Sequence, residues 1–87
     1  VATRDSVEQF IQQCEDAIRY AEDQYSNAEQ QEHYNDTEFT KAQEMLEQTY
    51  NGLMHLSLSC NAQQREQLNR MRLQLQQLQN QMTLLDH

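Results

Sequence analysis

Two thiols, a histidine-bearing acidic turn and four tyrosines are the groups in this 87-residue sequence that could do chemistry. The thiols are Cys14 and Cys60. A helical hairpin folded near residue 35 sets Cys14 opposite about residue 56, with Cys60 about one turn away. A disulfide or redox switch is geometrically conceivable there. The plainer reading is a pair of reduced, buried, small apolar fillers. The two lack CxxC spacing and have no adjacent base, and Cys60 falls near a helix C-terminus, where the dipole disfavours a thiolate.

The densest set of metal-capable side chains is Glu29, Glu32, His33 and Asp36. Glu29 and His33, four apart, can share a helix face. Di-iron bundles, however, use Glu-x-x-His on two helices. Here the residue three before His33 is Gln30, and the one three before His55 is Gly52. A solvated helix end with a polar turn accounts for the cluster. His87 stands apart, and no P-loop, GxGxxG or HExxH occurs. No catalytic residue, cofactor or metal is expected.

Tyr25 and Tyr50 fall on or beside apolar stripes, as core rings with the hydroxyl reaching water do. Tyr20 and Tyr34 fall outside the first stripe and are candidate contact anchors, against the alternative of isolated surface aromatics. Leu58, Leu73 and Leu84, with Met54, also lie off the stripes. They are either singly exposed side chains or parts of a self-association or partner surface.

The elements that position these groups follow from composition and spacing. Proline is absent and Gly52 is the single glycine, while Gln, Glu, Leu and Ala abound. That is a helical vocabulary without the turn residues of a strand-rich fold. With 37% hydrophobic residues and a mean hydropathy of −1.03, the chain is polar for one small domain. A chain this short buries roughly 60–65% of its surface, so the monomer should be marginal and a partner could help it.

Net charge is −8. Residues 1–51 carry a balance of −9 and residues 52–87 a balance of +1. An acidic chain repels phosphate backbones, which argues against nucleic acid as a partner. No apolar run approaches ~18 residues and no apolar signal region opens the sequence, so a cytoplasmic, membrane-free protein is expected.

Three hydrophobic seams carry the fold prediction. The first is Val7, Ile11, Cys14, Ile18, Ala21, Tyr25 and Ala28, widened by Phe10 and Ala17. The second is Phe39, Ala42, Leu46, Thr49, Leu53, Leu56 and Cys60. The third is Leu68, Met71, Leu75, Leu78, Met82 and Leu85. Each alternates steps of three and four, the pattern of packed helices. Capping-box spacing at Asp5/Glu8 and Ser6/Gln9 starts the first helix, Asn35/Glu38 suits the second, and Asn61/Gln64 the third. Ser59 is a second candidate cap for the third helix, as are Asp36 and Thr37 for the second. Gly52 interrupts the second seam and marks a close helix contact or a bend.

Extending the second seam past Cys60 would bury Gln63 and Gln67, so the register shifts there. Two architectures fit. One is an all-α, antiparallel three-helix bundle with coiled-coil-like packing, a single domain over 1–87 with helices at about 6–32, 37–58 and 62–85. The other is a dimeric helical hairpin whose second and third helices fuse into one rod, the shift acting as a stutter. Matched lengths, and the rarity of rods of about 50 residues, favour the bundle. Arg65, Arg70 and Arg72 would then lie beside two acidic helices. The Gln-rich run 73–81 has a prion-like composition, but its leucines keep helical spacing.

Several stretches together carry a resemblance. They are Ala2-Thr3-Arg4 with Ser6-Val7, then Gln31-Glu32-His33-Tyr34-Asn35-Asp36, Gln63-Gln64-Arg65-Glu66-Gln67-Leu68, and Arg70 to Gln76. In these runs the chain resembles the YtzC-like family of short, uncharacterised proteins of bacilli. The resemblance spans nearly the whole chain, implies an intracellular bacterial protein and transfers no site residues.

The expected function is a non-enzymatic helical protein–protein interaction module, with self-association or an unidentified protein as its partner. The alternative is a small regulatory phosphatase or modulator of a response-regulator phosphorelay. Short helical-hairpin phosphatases of sporulation phosphorelays place an acid four positions after a serine on one helix. Here Ser57 is followed at that spacing by Asn61, and Ser59 by Gln63, a departure from the pattern.

Overall fold

Side chains that recur every three or four residues must be covered along one line, and three such lines close on one another. The computed structural model describes residues 3–30 and 36–85. It has three helices, α1 (Arg4–Gln30), α2 (Asp36–Ser57) and α3 (Ala62–Leu85), each packed on both others. The chain is thus an all-α three-helix bundle, 47 × 19 × 15 Å.

The seams form the interior. On α1, Val7, Cys14, Ala21 and Ala28 are buried, and Ile11, Ile18 and Tyr25 alternate with them as half-buried flanks. On α2, Phe39, Ala42, Leu46 and Leu53 are buried, and Cys60 is buried in the turn that follows it. On α3, Leu68, Leu75, Leu78 and Met82 complete the core. The division of sizes matters. α1 offers mostly Ala and Cys, whereas α2 and α3 offer Phe, Leu and Met, so the large side chains nest against a thin helix. Each fully buried Leu contributes ~1.5–3 kcal/mol relative to an exposed one. Among the described residues no polar or charged side chain is fully buried.

α1 begins two residues before the expected start. Thr3 is its cap, accepting the Ser6 amide on Oγ1 at 3.1 Å while its hydroxyl donates to Ser6 Oγ at 2.7 Å. A threonine just before the helix serves an orphan amide of the first turn, as an Asp5 or Ser6 cap would have served the Glu8 or Gln9 amide a few residues later. The expected cap Asn35 lies outside the described residues.

α2 and α3 are separate helices, which excludes the fused rod. The chain leaves α2 through short-range bonds from the Leu58, Ser59 and Cys60 amides to the His55, Leu56 and Ser57 carbonyls. Asn61 then starts α3 with a reciprocal box. Its Oδ1 accepts the Gln64 amide at 2.8 Å, and Gln64 Oε1 accepts the Asn61 amide at 3.1 Å. Arg65 Nε reaches back to the Ser57 carbonyl at 3.2 Å and covers one of the orphan acceptors ending α2.

The arginines of α3 do not pair with the acidic helices. Arg72 donates to Asn69 Oδ1 at 2.9 Å and Gln76 Oε1 at 3.1 Å, within its own helix. Among the described residues no ion pair joins Arg65, Arg70 or Arg72 to an acid. Side-chain hydrogen bonds link the helices instead: Tyr20 OH donates to the Glu38 carboxylate Oε2 at 2.6 Å between α1 and α2, and Gln76 Nε2 donates to Tyr50 OH at 3.1 Å between α3 and α2.

Candidate interaction surface

Phe10 and Gly52 set the register of α1 against α2. A Cβ at Gly52 would stand 2.9 Å from Phe10 Cζ, so the ring occupies the space that a side chain would take. This is the close contact anticipated at Gly52, and no bend is required to explain the residue. With Tyr20 bonded to Glu38 at the other end, the hairpin register centres near position 30 rather than 35.

That shift separates the cysteines. Cys14 stands level with about position 46, and Cys60 lies some fourteen residues further along α2 and its exit turn, roughly 20 Å at ~1.5 Å per residue. A disulfide needs Cα atoms within ~7 Å. Both cysteines are buried free thiols. Burial, aided by the neighbouring Glu15 charge, pushes the Cys14 thiol up to about 11. Cys60 Sγ donates to the Leu56 carbonyl at 3.3 Å.

The remaining chemical candidates also resolve. Glu32, His33, Tyr34 and His87 lie outside the described residues. Among the described residues no group of three His, Cys, Asp or Glu side chains is placed to hold a metal. Ser57 is the last residue of α2, its hydroxyl donating to the Leu53 carbonyl at 2.9 Å, and Asn61 caps α3 across the turn. Ser59 and Gln63 are divided by the same break. The serine-plus-four pattern on one helix is therefore not formed. No helix among the described residues is long and apolar enough to cross a membrane.

Tyr20 is half-buried against the core, and its hydroxyl is taken by Glu38, a bond that raises its ionisation above the usual tyrosine range with smaller contributions from burial and the carboxylate charge. Tyr25 is raised the same way, first by its bond to Glu29. Tyr20 thus staples α1 to α2 and does not stand free.

Four large apolar side chains do stand in water: Leu58 (79% exposed), Leu84 (71%), Leu73 (52%) and Met54 (44%). Leu58, in the turn after α2, edges a shallow groove of ≈ 560 Å³ shared with Phe10, Gly52, His55, Leu56 and Ser59. Sequence reading had each of these residues but not the groove, because the pairing of position 10 with position 52 depends on the hairpin register. Leu73 and Leu84 lie on the solvent face of α3. Between them the residues at steps of four, three and four are Gln77 and Asn80, both exposed. From Leu73 to Leu85 the helix carries no ionisable residue at all.

The chain is similar to the uncharacterized protein YtzC of Bacillus subtilis (strain 168), at 58% identity over 84 residues, covering 97% of this chain and 93% of that protein. No solved structure matches it. The model of a family described as a protein of unknown function, DUF2524, matches residues 1–84, and the chain belongs to that family.

Proposed function

We propose that this chain is a non-enzymatic helical interaction module whose working surface is built from its exposed apolar side chains. One observation carries the reading. In a chain of mean hydropathy −1.03, four large hydrophobes stand outside a core already closed by three complete seams. Isolated surface leucines are common. Here Leu58 continues a groove, and Leu73 and Leu84 share one helix face, so these side chains form surfaces.

The test is photo-crosslinking in the native cell. A photoreactive residue placed at Leu58, Leu73 or Leu84 should give discrete protein adducts, while the same residue at exposed Glu47 should give none. Equal, diffuse labelling at all four positions would remove the proposal.

A further inference from the structure

Building on the interaction-module reading, we infer that α3 is a homodimer face, on which a second copy packs antiparallel with Leu73 of one chain against Leu84 of the other. The outward stripe Leu73, Gln77, Asn80, Leu84 has the four–three–four spacing of a packed seam, although α3 already buries its own seam on the opposite side. A two-fold interface must be complementary to itself. An antiparallel two-fold centred between positions 78 and 79 brings Leu73 onto the partner's Leu84, and Gln77 onto the partner's Asn80. Amides suit that second pairing, because each carries both donor and acceptor.

Charge selects the same face. Two copies of a chain at −8 repel, and the excess of acids lies in residues 1–51, on α1 and α2. The stretch 73–85 is free of ionisable groups. Contact there desolvates no charge and keeps the acidic helices on the outside. The leucines sit about 17 Å apart at ~1.5 Å per residue, so the patch is small. It fits a concentration-dependent equilibrium rather than an obligate dimer.

Sedimentation equilibrium from micromolar to millimolar concentration is the decisive measurement, run at low and high sodium chloride. A monomer–dimer equilibrium is expected, shifting toward dimer with salt because screening removes net repulsion without breaking any interfacial ion pair. Leu73→Asn with Leu84→Asn should raise the dissociation constant at least about tenfold, since each substitution acts twice in the dimer. Gln48→Asn, at an exposed position of α2 outside any surface described, should leave it unchanged. Circular dichroism of the double variant should match the parent, both side chains being exposed.

Register is read by oxidising an equimolar mixture of Leu73→Cys and Leu84→Cys chains, which should yield the mixed disulfide in preference to either symmetric one. A strict monomer at millimolar concentration, a dimer indifferent to the double substitution, a dimer dissolved by salt, or a Leu73→Cys homodimer in preference to the mixed one would each overturn the inference. A monomer that still crosslinks to another protein through Leu73 would overturn the dimer alone and leave the interaction module standing. Absence of adducts in the cell beside a well-behaved dimer would separate the two the other way.

Discussion

The ring of Phe10 fills the side-chain space of Gly52, and this contact fixes how far α1 slides along α2. Helix propensity alone would favour Ala over Gly by ~1 kcal/mol, whereas a Cβ would stand 2.9 Å from Phe10 Cζ. Because the ring is half-buried and met at its tip, it can swing outward, and the two effects should nearly cancel. Gly52→Ala is expected within about 0.5 kcal/mol of the parent in urea unfolding. Gly52→Leu should destabilise by ~1–3 kcal/mol. In a Phe10→Ala background the same Gly52→Ala change should stabilise by about 1 kcal/mol. An unchanged effect of Gly52→Ala in the two backgrounds would show that the ring is not the obstacle.

The contrast between α3's two faces gives a second prediction. Leu75 is fully buried and Leu73 is 52% exposed, only two positions away. Leu75→Ala should cost ~2–5 kcal/mol, enough to unfold much of a marginal bundle. Leu73→Ala should fall within about 0.5 kcal/mol at concentrations where the chain is monomeric. Thermal melts of the pair at micromolar concentration check this, and similar losses would mean that the helix is rotated from the orientation described.

Asn61 carries the start of α3. Replacing it by Ala leaves the Gln64 amide without its side-chain acceptor and should cost ~0.5–2 kcal/mol, while Asp at the same position should retain most of the cap. Denaturant midpoints for the two variants distinguish capping from a merely polar turn. If Ala and Asp behave alike, the box is not contributing.

Alkaline pH should loosen the bundle through Cys14 and Tyr20. Both ionise higher in the folded chain than in the unfolded one, Cys14 near 11 against an ordinary 9.0 and Tyr20 above its usual 10.0. The unfolded state therefore loses these protons first. Stability linked to Cys14 is whole below about pH 9 and declines as pH rises toward 11, and that linked to Tyr20 is whole below about pH 10 and declines above it. Cys14→Ala should flatten melting temperature against pH between 9 and 11, and Tyr20→Phe should flatten it above 10. Thiol titration at pH 8 should label neither cysteine quickly in the native chain and both in denaturant. Rapid native labelling of Cys14 would contradict its placement in the core.

The seams were legible because each is a repeating local signal. Val7 to Ala28, Phe39 to Cys60 and Leu68 to Leu85 repeat at helical spacing within one element, and each lies inward where the repeat places it. The Asn61/Gln64 box was legible for the same reason, both partners lying within one turn. What depended on two elements at once was not. The level of Cys14 against α2 requires the hairpin register, which Phe10–Gly52 and Tyr20–Glu38 set and no local spacing encodes. Tyr20 falls off the α1 seam, yet it turns inward because Glu38 offers its hydroxyl a partner across the helix boundary. Arg65 and Arg72 of α3 followed short-range geometry, bonding the Ser57 carbonyl and the Asn69 and Gln76 side chains. Thr3 was missed as a cap because Asp5 and Ser6 offered the same pattern a few residues later.

An odd number of antiparallel helices puts Arg4 and Leu85 at opposite poles of a body 47 Å long. α1 and α3 run in the same direction side by side, so tension applied between those two residues would slide one helix along the other. Every buried row would be loaded together, as the threads of a bolt are, rather than peeled open one contact at a time.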